Sequence, residues 1–433
     1  MAKLLNQGAY GCVYYPGFTC KGNTEKSKRY VTKIEIHDKT SKNELDISKT
    51  VKTIKNYNKF FSPVVKHCIS RFKQVDKYRD KLEDCEPINI EENIYNDFII
   101  IYINYIKGKE LEKHILNIES PVIATLSIIS SYTYLLNSIK RLQEKNIIHY
   151  DLHTGNILFD LNKKIPIIID FGLSIDTKLI FSNHESRTRS SIDYLQLKKS
   201  IMHYSPKHYT YPPELHFITY LLNDIDVLTD NIDSRLKEKV SKTSIDTFVE
   251  DMIEANKIHR RYQYYKTSST SSSSSTTSTT TTTNEYRREI ESYYNQFINT
   301  TKKQAIDTLV EYIKYLDVYT LTIDMSVIII KILDRLTTES ESSYKKVLFL
   351  ILEFLIYNLR IDPEKRLTID ELVNIYRIVF TEKTATSKKI ISKIQRLKSD
   401  SKSLADKFLE LEKYYITPNL KILDDRKIQQ LIS

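Results

Sequence analysis

Three oxygen-bearing side chains carry the sharpest chemical signal in this chain. Asp151 and Asn156 lie five residues apart in Ile148-His-Tyr-Asp-Leu-His-Thr-Gly-Asn-Ile-Leu158, and Asp170 closes the apolar run Ile167-Ile-Ile ahead of Phe171-Gly172. The apolar runs on either side read as short strands, so the three polar groups sit at the ends of adjacent strands. Phosphoryl transfer requires such a set. One carboxylate orients a hydroxyl and receives its proton, while a carboxamide and a second carboxylate hold Mg²⁺ against phosphates.

Further upstream, Asn6-Gln-Gly8-Ala-Tyr-Gly11-Cys-Val13 lies between two short strands. Glycines let a backbone turn tightly and face its N–H groups toward phosphate oxygens. The strand–turn–strand setting argues against a dinucleotide-binding loop, which opens a helix, and no Gly-Lys-Ser/Thr is present for the Walker type. Lys33 lies in the alternating strand Arg29–Ile36, and Glu44 follows on a segment with helical spacing. Paired with Lys33, Glu44 would fix the ammonium for phosphate contact, with Glu35 and Asp46 as rivals for that place. Taken alone, a plain hairpin and an exposed strand lysine explain these two segments. Their order ahead of Asp151, Asn156 and Asp170 is what gives them meaning.

The surrounding elements form a β-rich beginning and a helical remainder. Strands are expected at about 3–5, 12–15, 29–36 and 98–106, a helix at 43–54, a long helix over 121–142, and a hairpin from 157–159 and 165–169. Residues 267–283 are all serine or threonine, an internal run that buries nothing and is expected to be disordered. Of 433 residues, 41% are apolar, enough for a sizeable core, and the net charge of +10 is spread along the chain. The four cysteines form no CxxC pair, so zinc clusters and disulfide-framed secreted folds both lose support. No signal-like h-region and no membrane-length apolar run is visible, so an intracellular, cytoplasmic protein without a membrane partner is expected.

With these residues in place, the chain resembles the eukaryotic-type serine/threonine protein kinase family. Asn6, Gly8, Gly11 and Val13 stand at the marked positions of its glycine-rich loop, Lys33 at its strand lysine and Glu44 at its helix glutamate. His149-Tyr-Asp151 through Asn156 resembles the catalytic loop, Asp170-Phe-Gly172 the metal-binding triplet, and Pro212-Pro-Glu214 the Ala-Pro-Glu motif. Arg366 resembles the arginine that pairs with that glutamate, and Asp317, with Asp324 as a rival, the anchor of the large lobe. The resemblance implies an α+β, bilobal fold over about 1–375, with a β-rich N-lobe to about 106 and a helical C-lobe from 107. It also implies ATP, Mg²⁺ (or Mn²⁺) and protein substrates. Catalytic work would fall to Asp151, Lys33, Glu44, Asn156 and Asp170, with Asn156 and Asp170 on the metal. Ile103 would be the gatekeeper, Tyr105 and Ile106 would offer backbone groups to adenine, and Glu110 would reach the ribose. The composition, rich in isoleucine, lysine, asparagine and tyrosine, resembles kinases of large DNA viruses, which would place the chain in host cytoplasm or virion.

The chain departs from the family pattern at several positions. Asn6 stands for the first glycine, a substitution expected to survive because Asn tolerates positive φ. Tyr150 replaces the arginine that gathers activation-loop phosphate, so control through loop phosphorylation is less expected. His153 replaces a lysine that neutralises the transferring phosphoryl; neutral imidazole does so less well than imidazolium. An insert over about 225–300 separates Glu214 from Asp317. Ser174, Ser186, Thr188, Ser190 and Ser191, with Arg187 and Arg189 among them, are candidate autophosphorylation sites. Competing readings are a nucleotide-binding pseudokinase or scaffold, and a small-molecule kinase of related fold. The Pro-Pro-Glu214 and Asp362-Pro-Glu-Lys-Arg366 motifs speak against the last. A basic patch over 388–402 reads as a solvated helix rather than a nucleic-acid site. Residues 376–433 form a charged, helical C-terminal extension, and the oligomeric state is not written in the sequence.

Overall fold

In the computed structural model, the described residues are 2–374 apart from 9, 22–26, 72–81, 83, 89–95, 183–190, 227–230, 256–277 and 337–341. The candidate sites Ser186, Thr188 and Ser190, the first part of the Ser/Thr run and the C-terminal extension therefore lie outside the described residues. Residues 1–111 and 141–176 form one compact unit, and 112–140 with the residues from 177 onward form another. The catalytic-loop segment thus groups with the β-rich part.

The first unit is built on an antiparallel sheet of β1 (Lys3–Gln7), β2 (Gly11–Tyr15), β3 (Tyr30–Ile36), β4 (Lys66–Arg71) and β5 (Asp97–Asn104), in the order β1-β2-β3-β5-β4. Alternation places Cys12, Tyr14, Ile34, Phe98, Ile100 and Tyr102 in one buried cluster, and Ile99 and Ile101 with Val64 in another. Asn6 lies inside β1 opposite Val13 and is not among the positive-φ residues. The substitution is therefore accommodated as extended backbone, not by the left-handed tolerance expected of it. Gly11 is sterically required, since a Cβ there would fall 2.2 Å from the Ile34 carbonyl oxygen.

Two disulfides correct the expectation from cysteine spacing. Cys12 is bonded to Cys85 and Cys20 to Cys68, and no described cysteine is free. Each bond joins a strand cysteine, Cys12 on β2 or Cys68 on β4, to one outside the strands, Cys85 or Cys20 respectively.

Helix α1 spans Lys39–Val51, starting earlier than its apolar spacing suggests. Asp38 caps it, accepting from the Thr40 and Ser41 N–H groups while Ser41 Oγ accepts from the Asp38 N–H. Shorter strands β6 (Gly108–Glu110), β7 (Ile147–Ile148), β8 (Ile157–Asp160), β9 (Ile165–Ile168) and β10 (Ile175–Asp176) complete the unit. β8 and β9 form the expected hairpin, with β6 on the outer side of β8.

The second unit is helical: α2 (Leu111–Leu116) and α3 (Pro121–Gln143) enter it, and α4 (Tyr194–Ser200), α5 (Pro213–Leu222), α6 (Ile232–Leu236), α7 (Lys242–Ala255), α8 (Ser278–Tyr294), α9 (Lys302–Leu309), α10 (Leu316–Leu333) and α11 (Ser342–Tyr357) follow. Helices α7 and α8 lie within the insert, and α8 begins on residues 278–283 of the Ser/Thr run. The insert is not filler. Phe217 of α5 packs against Phe248 of α7 and Tyr294 of α8, each at 4.9 Å between ring centres. Asp317 and Asp324 are both buried in α10, so burial does not separate the two rivals. No helix among the described residues is long and apolar enough to cross a membrane.

Candidate active site

Strand β3 aims Lys33 from a register in which it faces Val13 on β2 and Ile101 on β5. Its ammonium donates to Glu44 Oε2 at 2.9 Å and to Asp170 Oδ1 at 3.2 Å. The structure thus brings Lys33, Glu44 and Asp170 together, and of the two rivals it sets aside Asp46. Asp46 is exposed and paired with Lys49, whereas Glu35 is buried and also lies on Lys33, at 3.1 Å. Burial opposes the Lys33 charge, but the carboxylates of Glu44, Asp170 and Glu35 hold it well above its ordinary value. Burial likewise raises Glu44, against the pull of Lys33. At Asp170 burial also pushes upward, yet Lys33 and the Gly172 N–H outweigh it, and the carboxyl is held below the usual range.

Asp151 and Asn156 are joined directly. Asn156 Nδ2 donates to the Asp151 carbonyl at 2.9 Å and to its Oδ2 at 3.1 Å. This leaves Asn156 Oδ1 as a ligand-grade oxygen. Among the described residues no group of three or more His, Cys, Asp or Glu could hold a metal. Mg²⁺ does not ask for one: it keeps several waters and takes one or two protein oxygens beside substrate phosphates. Asn156 and Asp170 fit that role, the Asp170 side chain being 41% exposed.

The backbone around these groups is strained. Asp170 has φ 61° and Tyr150 φ 70°, costly for residues with a Cβ and typical of places where function fixes the chain. Tyr150 is 1% exposed, so its phenol is buried and does not stand in for the missing arginine. His149 pairs through Nε2 with the Ile169 carbonyl at 2.9 Å, and Phe171 is buried between Phe61 and His149. His153 Nδ1 accepts from the Gly155 N–H at 3.1 Å. That leaves Nε2 facing Asp151 Oδ2 at 3.8 Å.

Two positions had no sequence signal of their own. Asn43, beside Glu44 on α1, donates from Nδ2 to the Gly172 carbonyl at 3.0 Å and the Ser174 carbonyl at 2.8 Å. It ties the helix bearing Glu44 to the segment just after Asp170. Ser174, expected only as a modification candidate, is 3% exposed and donates to the His149 carbonyl at 3.2 Å. Its hydroxyl is a structural link. On the adenine side the Tyr105 N–H donates to the Arg29 carbonyl at 2.8 Å, so that donor is committed and Ile106 is left as the candidate. Gly8 and Gly11 close the turn through a Gly8 N–H to Gly11 carbonyl bond of 2.9 Å. Glu110 lies on β6 opposite Leu158.

The sequence profile described as the protein kinase domain matches residues 1–197. This part of the chain is similar to the protein kinase domain. The fold is bilobal and kinase-like, β-rich first and helical after. Within the helical part, Arg366 and Glu214 form the bidentate pair that the kinase motifs imply, at 2.6 and 2.9 Å. Two proteins of Dictyostelium discoideum are similar in sequence. The dual specificity protein kinase zakA is 26% identical over 192 residues, 43% of this chain and 20% of that protein. A protein described as a probable serine/threonine-protein kinase, fnkB, is 30% identical over 146 residues, 32% of this chain and 27% of that protein. The chain therefore spans only about a fifth to a quarter of either relative.

Proposed function

We propose that this kinase domain transfers the γ-phosphoryl group of ATP to serine and threonine hydroxyls of protein substrates. The observation that carries the reading is Lys33, bonded at once to Glu44 on α1 and to Asp170, in the same unit as the joined pair Asp151 and Asn156. Lys33 and the backbone of the Gly8–Gly11 turn hold the phosphates. Val13, Ile103 and the Ile106 backbone enclose adenine, with Glu110 toward the ribose. Asp151 orients the acceptor hydroxyl and receives its proton as the oxygen bonds to the γ-phosphorus and the bond to the bridging oxygen breaks, releasing ADP. Asn156 and Asp170 would hold Mg²⁺, which would supply neutralisation of the phosphate charge; Mn²⁺ has the same oxygen preference. His153 takes the place of the family's lysine beside the transferred group.

Serine/threonine selectivity is supported by the family match and by the name of one relative, while the other is a dual specificity enzyme. The likeness to kinases of large DNA viruses belongs to this reading through composition and the His149–Asn156 segment; the two relatives do not add to it. A cytoplasmic setting also belongs to it, although the two disulfides speak against it, since such bonds persist in oxidising surroundings. The test is incorporation of labelled γ-phosphate into generic protein acceptors by the full chain with Mg²⁺, beside D151N. Transfer by the wild type and at least ~100-fold less by D151N is expected. Nucleotide binding without transfer would favour the pseudokinase, and transfer only to small acceptors the third reading.

A further inference from the structure

Glu35 is a buried acid that the proposed chemistry does not use. It lies two residues beyond Lys33 on β3, so the pleat turns both side chains to the same face. Its side chain is 3% exposed, and Oε2 stands 3.1 Å from the Lys33 ammonium. Oε1 has no hydrogen-bond partner, and Oε2 meets Lys33 only as an ion pair. The lysine instead spends its hydrogen bonds on Glu44 and Asp170. A buried carboxyl left unbonded beside other acids is costly, and an aliphatic residue would fill this place more cheaply.

We propose that Glu35 is a reserve counter-ion for Lys33, fixed on the sheet, which keeps the ammonium aimed when Glu44 is withdrawn with α1. The inference rests on reading Lys33 as the phosphate-holding lysine. Glu44 rides on a helix and Glu35 does not, so only Glu35 keeps its distance from Lys33 when α1 shifts. A small rotation of the ammonium redirects one N–H from Glu44 to Glu35. The charged groups around Glu35 are Lys33 on its own strand, Glu44 on α1 and Asp170. Burial, with Glu44 and Asp170 adding repulsion against the pull of Lys33, pushes Glu35 up to about 8. Glu44 beside it therefore disfavours the Glu35 charge. Taking Glu44 away removes one repulsion and frees the cation at the same moment, and both changes favour an ionised Glu35. The lysine's orientation is then not conditional on α1, in keeping with a buried Tyr150 that gathers no loop phosphate.

The test is a double-mutant cycle on the full chain with E35Q, E44Q and E35Q/E44Q. Affinity for Mg²⁺–ATP and the thermal midpoint are both read. E44Q should weaken nucleotide binding by less than about fivefold, and adding E35Q to it should cost a further tenfold or so; E35Q alone should cost less than about threefold. The thermal midpoint should show a change of sign. E35Q relieves an unbonded acid in the native background, leaving the midpoint level or higher, and lowers it by several degrees or about that in the E44Q background. If E44Q already falls to the level of the double variant, or if E35Q acts equally in both backgrounds, the reserve role is overturned. Should E35Q/E44Q fail to fold, E44D and E35Q/E44D give the same comparison with a shortened acid. A wild type that binds no Mg²⁺–ATP would remove the functional reading, and the thermal cycle would still decide the place of Glu35.

Discussion

Replacing Glu214 with glutamine removes the partner of a buried cation. Arg366 is 4% exposed and Glu214 0%. The guanidinium donates through both terminal nitrogens to the two carboxylate oxygens, and through Nε to the Arg360 carbonyl at 2.7 Å. It also lies 4.7 Å from the centre of the Tyr319 ring. Breaking such a pair costs ~3–5 kcal/mol because one charge stays buried without compensation. Glutamine keeps an acceptor, so E214Q belongs at the low end, about 3 kcal/mol. A cooperative unit of this size loses about 2–4 °C of thermal midpoint per kcal/mol, which gives a fall of about 6–12 °C. R366M strands the carboxylate instead and should fall at least as far. E214Q/R366M should recover part of the loss, since no charge is left unpaired. Calorimetry on the full chain reads all three. A fall under about 2 °C for E214Q, or a double variant as poor as the sum of its parents, would refute the argument.

D151N should abolish phosphoryl transfer while leaving Mg²⁺–ATP affinity nearly intact, whereas D170N should weaken metal-dependent nucleotide binding; titration of nucleotide with and without Mg²⁺ separates the two. Phosphatase-treated protein should keep its rate within a few-fold, because Tyr150 gathers no phosphate; a hundred-fold loss would assign that role to other basic residues. N43D turns a double donor into an acceptor facing two carbonyls and should cost about 1–3 kcal/mol of stability, with a lower rate of transfer, read by thermal unfolding and steady-state kinetics. Deleting 267–277 should leave unfolding cooperative, since lengthening or shortening a link changes its closure entropy only logarithmically. Deleting α7 should not, because it removes Ile245, Phe248 and Val249 from the core. The folded chain holds a proton on Glu35 up to about pH 8, and the unfolded chain releases it near 4.5. Stability should therefore fall as pH rises between those values, and E35Q should flatten part of that fall in a series of thermal scans.

Strands β2, β3, β5 and the β8–β9 hairpin were legible because alternation and apolar runs are local signals, and the kinase motifs sit at their ends. The start of α1 was less so: its first turn is polar, and the informative residues were the capping pair Asp38 and Ser41, not the apolar ones. Disulfide pairing was not legible at all. Each bond ties a strand cysteine to one in a loop, and spacing along the chain does not relate the two. Packing within the insert was not legible for a similar reason. Its serine and threonine run announced disorder, while Phe248, Tyr294 and Phe297 could be recognised as core only once Phe217 was seen among them. Lys33, Glu44 and Asp170 meet as their motifs imply. Glu35, already a rival for Lys33 in the sequence, is placed beside it by the two-residue pleat, whereas Asn43 was not legible, because its partners are backbone carbonyls.

The disulfides make the toughness of the β-rich part depend on where the chain folds. They close separations of 73 and 48 residues, and loops of that size remove about 4 kcal/mol each of unfolded-state entropy. Cys12 directly follows Gly11, so one of these links ends at the edge of the Gly8–Gly11 turn. A reducing compartment receives the sheet with four thiols, an oxidising one with two cross-links. One polypeptide thus yields two grades of material, and the stiffness of its Gly8–Gly11 turn is set by the chemistry of its surroundings.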